Sequence, residues 1–130
     1  MEKSKRLILF IGFILIVLVK LFIRPFVTLP PALFICRDVA PNLISAFLIP
    51  FCGDLFLKRW IQLIEKRSVL FICGIGMVIL VLNELAQLFP VFHRTFDYFD
   101  ILFSFIGVAL GYFVFTQFFI CSKTEKLARE

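Results

Sequence analysis

The chain has 130 residues, 62% of them hydrophobic and only 18% charged, with a formal net charge of +5 and a mean hydropathy of +1.03. Soluble domains are about 45–50% apolar and about 25% charged, so too few polar side chains remain here to cover a globule. That excludes a soluble enzyme, a disordered tail and a nucleic-acid binder, and the length supports a single transmembrane domain over 1–130.

The opening MEKSKR and the apolar run from Leu7 begin like a secretory signal. No small-residue cleavage site follows, and Lys20 and Arg24 close the run, so it reads as an uncleaved first span over 7–23. The stem of Lys20 is long enough to snorkel to the interface. Arg24-Pro25 and the pair Pro30-Pro31 then break the helical pattern. A second span is expected over 39–57, after Arg37-Asp38, with Pro41 in its first turn. Pro50 and Gly53 give it a bend, and Asp54 reads as a local ion pair with Lys58 at i,i+4.

The connector 58–67 is basic and carries the only tryptophan. Its apolar residues Trp60, Ile61 and Ile64 place it in the headgroup plane, as a short interfacial segment between the second and third helices. A third span is expected over 68–89, ended by Pro90, and a fourth over 99–120, followed by a charged tail. The fold class is an all-α integral membrane protein, a four-helix transmembrane bundle. Cys36, Cys52, Cys73 and Cys121 form no CxxC pair and read as small buried hydrophobes.

Cationic residues orient the bundle. Ten of them (Lys3, Lys5, Arg6, Lys58, Arg59, Lys66, Arg67, Lys123, Lys126 and Arg129) fall on one side, against Arg24, Arg37 and Arg94 on the other. Both termini are therefore expected to be cytoplasmic, with two loops outside.

Polar residues inside the spans gather toward the outer side. Glu84 interrupts an apolar helix, with Gln87 on the same face at i,i+3. A charge at bilayer depth costs about 2.5–3.5 kcal/mol on insertion scales, so Glu84 must face protein, water or the interface. On the fourth span Asp97, Asp100, Ser104, Gly107 and Gly111 recur at steps of three and four. That is one helical stripe, acidic at its outer end, with a GxxxG further in that lets another helix approach closely. Arg94 lies in the connection just before it, and Arg37 and Asp38 come from the other outer loop. The candidate polar site is therefore Glu84, Gln87, Arg94, Asp97, Asp100 and Ser104, with Arg37 and Asp38 as additions. No catalytic residue is assigned. His93 reads as a solvated loop residue, so no metal and no cofactor is expected.

The pattern Glu84-x-x-Gln87, Arg94, Thr95-Phe96-Asp97, Asp100, Gly107 and Gly111 resembles the signature of the VanZ-like family of small membrane proteins, named for a teicoplanin-resistance protein. The resemblance covers about Leu80 to Val114, with Arg37-Asp38 ahead of the second span fitting in general character. Ser104 departs from it, since the family usually has asparagine there. The resemblance implies a protein of the bacterial cytoplasmic membrane acting at the cell envelope, with glycopeptide resistance known for one branch.

Three uses of the site stay open at this point, besides a purely structural ion network that holds the outer loop together. It could bind a lipid headgroup, a lipid-linked envelope precursor or an amphiphilic drug, with the arginines holding an anionic group. It could belong to an enzyme acting on a lipid-linked substrate, with Glu84 or Asp100 as general base. The third use is a small transporter, which would need to be a homo-oligomer, because four spans are few and no inverted repeat is visible. Expected partners are membrane lipids, not nucleic acid.

Overall fold

The structure is a computed structural model that describes residues 2–23, 26, 30–57, 60, 65–86 and 98–121. Every regular element among these residues is helical. They are α1 (Glu2–Leu18), continued by a π-helical turn over Val19–Ile23; α2 (Pro31–Phe47); α3 (Ile49–Leu57); α4 (Lys66–Ala86); and α5 (Tyr98–Phe115), continued by a π-helical stretch over Thr116–Cys121. Among the described residues four stretches are long and apolar enough to cross a membrane: Lys3–Ile23, Arg37–Leu57, Lys66–Ala86 and Tyr98–Ile120.

The helices begin earlier than hydropathy alone suggests, most of all in the second. α2 starts at Pro31, not Val39, so Arg37 and Asp38 stand inside a helix instead of in a loop before one. The proline pair continues no helix from before it, and it also starts a new one. Pro30 is the N-cap residue in an extended conformation and Pro31 occupies the first turn, where a missing N–H costs nothing. Pro41 is then an interior proline, which cannot donate to the Arg37 carbonyl.

α2 and α3 together make one interrupted span. The break falls at Leu48, two residues before Pro50, where the Leu48 amide still donates to the Ile44 carbonyl (3.1 Å) and the Cys52 amide picks up the Leu48 carbonyl (2.9 Å). Proline at 50 has no amide to donate to the Ala46 carbonyl, so the ladder is interrupted here and a new helix starts at Ile49. At the other changeover, the Thr116 hydroxyl donates to the carbonyls of Tyr112 (2.9 Å) and Phe113 (3.1 Å) as the α pattern widens into π. A hydroxyl bonded back along its own helix competes with the regular ladder there.

Neighbouring helices are in register in a way that defines the bundle. Gly107 lies against Leu43 and Gly111 against Phe47, so α2 and α5 run parallel. Gly53 faces Ile72 and Gly76 faces Ile49, so α3 and α4 run antiparallel. Gly12 meets Leu48, and Lys5 meets Asp54, which sets α1 antiparallel to the second span. The second span is the central one, with 44% of its apolar window buried against 6% for the first. α5 makes its most extensive contact with α2. The core runs through Ala46, Phe51, Val69, Ile72, Cys73, Phe115 and Phe119. Phe51 sits edge-on to Phe115 (5.3 Å between centroids) and to Phe119 (5.8 Å).

Large apolar side chains cover the outside instead. Phe10, Phe13, Leu21, Phe22, Phe71, Phe105 and Phe118 are all exposed. In water such a surface would aggregate; against lipid tails it needs no cover. In the connector Trp60 is 83% exposed, while residues 58–59 and 61–64, which carry most of the expected interfacial segment, lie outside the described residues.

Candidate functional site

Polar groups collect at two opposite ends of the bundle. The expected site is at the end where α4 finishes and α5 begins. Glu84, close to the end of α4, is 5% exposed, and Ser104, in the second turn of α5, is 2% exposed. Both register pairs can be followed outward from the glycines. Continuing the parallel α2–α5 register brings Ala40 level with Ser104 and Arg37 level with Ile101, beside Asp100. Continuing the antiparallel register from Ile49 and Gly76 brings Pro41 level with Glu84. Glu84, Ser104 and the proline of α2 therefore share one layer. Arg37 and Asp100 lie about one turn, or about 5.4 Å, further out.

Arg37 Nε donates to Asp38 Oδ1 at 3.2 Å, and the Arg37 side chain is 14% exposed against 44% for Asp38. The guanidinium thus runs back against the bundle while the carboxylate stays at its edge. Deeper in, the stripe that begins with Asp100 and Ser104 becomes glycine. A methyl on Gly107 would overlap the Leu43 carbonyl oxygen and stand 2.8 Å from the Ala46 Cβ, and one on Gly111 would overlap the Phe47 carbonyl oxygen. So close an approach brings the glycine Cα–H groups to those carbonyls, a weak hydrogen bond that recurs where helices touch. The face is filled by α2 of the same chain, which leaves it closed to a second copy.

Gln87, Arg94 and Asp97, together with His93, lie outside the described residues. Of the expected set, the structure places Glu84, Ser104, Asp100, Arg37 and Asp38 at one end. Among the described residues no group of three histidine, cysteine or carboxylate side chains could hold a metal ion. Cys73 is buried and Cys52 half-buried, both as free thiols.

The opposite end holds a cluster that the i,i+4 spacing does not reveal. The expected partner of Asp54, Lys58, lies outside the described residues; the structure pairs Asp54 with Lys5, from the start of the chain. Lys5 Nζ is 2.6 Å from Asp54 Oδ2, and both side chains are almost buried. The same ammonium lies 4.9 Å from the centroid of the Phe115 ring and 5.4 Å from that of Phe119. One cation therefore ties together α1, α3 and the end of α5 through an ion pair and two ring faces. The signal for it is in the topology. The start of a first span and the end of a second must share one side, which makes Lys3, Lys5 and Arg6 all candidates for Asp54.

No protein-family model, curated protein or solved structure matches the chain.

Proposed function

We propose that the chain is a multi-pass protein of a bacterial cytoplasmic membrane, VanZ-like in its last two spans, with both termini inside. Its outward end binds the charged part of an envelope amphiphile: a lipid headgroup, a lipid-linked cell-wall precursor or an amphiphilic antibiotic such as a glycopeptide. What supports this reading above all is the layer in which buried Glu84 and Ser104 stand level with Pro41, with Arg37 and Asp100 one turn outside it. The glycine seam already packs α5 onto α2, so helix association does not need an acid in the same bundle. An acid retained at a cost of about 2.5–3.5 kcal/mol of insertion free energy is a functional-site signal. In this reading Arg37 and Arg94 receive the anionic group, while Glu84, Asp97 and Asp100 orient the arginines or take a cationic one. The distribution of lysine and arginine supports the outward orientation of this end.

The test compares the wild-type chain with Glu84→Gln in a teicoplanin-sensitive bacterial host, with membrane protein level measured in parallel. The expected result is that the wild type raises the inhibitory concentration and Glu84→Gln loses that protection at an unchanged protein level. A Glu84→Gln chain that disappears from the membrane makes the carboxylate structural. A wild-type chain that gives no protection removes the glycopeptide from the ligands.

A further inference from the structure

Lys20 is a charge inside the first span that neither polar end of the bundle accounts for. It lies in the π-helical turn Val19–Ile23, a rare geometry that recurs at functional sites. Gly12, Ile16 and Lys20 follow at steps of four, so Lys20 extends the face of α1 that packs Gly12 against Leu48. On the second span Arg37, Ile44 and Leu48 follow at steps of seven and four, which puts Arg37 on the face that receives Gly12. The π-helical turn is in contact with α2. Continuing the antiparallel register from Gly12 and Leu48 brings Lys20 level with Ala40, and Ile23 level with Arg37. Two cations on facing sides of neighbouring helices are thus only about 4.5 Å apart along the bundle axis.

The two are not matched alike. Arg37 has the Asp38 carboxylate at 3.2 Å, whereas Lys20 is exposed and pairs with none of the described acids. Glu84 and Asp100 stand on α4 and α5, while α1 packs chiefly on α2 and α3. Like charges side by side repel, and an anion between them turns the repulsion into attraction. Depth decides which anion is at hand. Lys20 stands a turn inside the end of the first apolar stretch at Ile23, and Leu21 and Phe22 beside it are each 62% exposed. From there a lysine stem reaches the headgroup plane. The anion fixed in that plane is the lipid phosphate, which both lysine and arginine bind.

We infer that Lys20 and Arg37 form a notch, at the same end of the bundle as Glu84, that binds the phosphate of one anionic phospholipid entering sideways from the bilayer. The inference deepens the proposed function and rests on its assignment of Arg37 to an anionic group. It adds Lys20 and narrows that group to a phosphodiester. The charge left over beside the Arg37–Asp38 pair is the single one of Lys20; one phosphodiester balances it, and a headgroup with its own ammonium does not. Basic pockets between membrane helices hold headgroups in this way.

The full chain, purified in detergent and given equal amounts of phosphatidylglycerol and phosphatidylcholine, tests it, with native mass spectrometry counting the lipid retained. The expected result is one phosphatidylglycerol held several-fold in preference to phosphatidylcholine. Lys20→Gln and Arg37→Gln are each expected to lower that preference several-fold at unchanged helicity, and Lys20→Arg to keep it. Lys66→Gln, at an exposed lysine of the opposite end, is expected to leave it unchanged. An undiminished preference in Lys20→Gln, or an equal loss in Lys66→Gln, would overturn the notch. Displacement of the lipid by excess inorganic phosphate would overturn the lipid source and assign the notch to free phosphate. A Lys20→Gln chain that keeps its lipid, beside a Glu84→Gln chain that loses protection against teicoplanin, would overturn the notch and leave the proposed function standing.

Discussion

Alanine substitution of the six glycines tests the seam between α2 and α5 in a graded way. At Gly107 and Gly111 the added methyl meets backbone, the Leu43 and Phe47 carbonyl groups, which cannot rotate aside. To restore ordinary van der Waals spacing the two helices must separate by about 1 Å, and a gap of that size forfeits a quarter to a half of the dispersion between facing atoms. Overpacking of this kind costs about 1–3 kcal/mol, and breaking each weak Cα–H···O hydrogen bond adds about 0.5–1 kcal/mol. At Gly12, Gly53 and Gly76 the methyl meets instead the ends of Leu48, Ile72 and Ile49, at 2.6, 2.5 and 2.5 Å. Those side chains can change rotamer, so the cost is smaller. At Gly74 nothing lies within 4 Å, and alanine is expected to be neutral or to stabilise the helix by up to about 1 kcal/mol. Unfolding in a denaturing detergent series, with helicity as the readout, gives the six values. A Gly111→Ala chain as stable as the wild type, beside a destabilised Gly74→Ala chain, would refute the parallel register on which the level of Ser104 and Arg37 also depends.

The cation cluster at the opposite end makes a second prediction. In a double-mutant cycle, Lys5→Met and Asp54→Asn are expected to show a coupling of about 0.5–3 kcal/mol, because removing either leaves the other nearly buried and uncompensated; strict additivity would dissolve the pair. Phe51→Ala removes a ring with no exposure that touches Phe115 and Phe119. Its cost should fall at or below the lower end of the ~3–5 kcal/mol seen for such core changes, because lipid cancels the transfer part and leaves the packing part. By contrast Phe10→Ala, at an outward position 63% exposed, is expected within about 0.5 kcal/mol of wild type in the same unfolding assay. For orientation, single cysteines at positions 3, 37, 94 and 97 in a chain lacking Cys36, Cys52, Cys73 and Cys121 are labelled from outside intact cells. Labelling at 94 and 97 but not at 3 is expected, and labelling at 3 would invert the bundle.

Legibility in the sequence follows the range of the interaction. Four apolar stretches with cationic flanks are local features, read at nearly the right places, since hydropathy depends only on the residues in the window. The start of α2 is harder to read, because a proline pair weighs as a breaker by composition, whereas proline at the N-cap and first turn begins a helix. The same ambiguity decides whether Arg37 and Asp38 belong to a helix or to a loop. The Lys5–Asp54 pair is separated by 49 positions, so no periodicity announces it; only the alternation of spans narrows the choice. For the polar site, the i,i+3 and i,i+4 stripe on α5 shows which residues share a face but not which helix covers them.

That distinction bears on what the stripe is for. A GxxxG in an apolar helix is often treated as a mark of association between copies. In this chain the carbonyls that approach Gly107 and Gly111 belong to α2, which also has an interior proline, Pro41, two residues from Leu43 and six from Phe47. Close packing at the glycines fixes α2 against α5. The Arg37 carbonyl, to which Pro41 has no amide to donate, and the Arg37 guanidinium are thereby held level with the start of α5. The same seam, filled by α2 of the same chain, therefore brings Arg37 of α2 level with the first turn of α5, which carries Asp100. On the proposed reading such a site needs its glycines as much as its charges, and Gly107→Ala is expected to lower the protection against teicoplanin that the wild-type chain gives, at an unchanged membrane protein level.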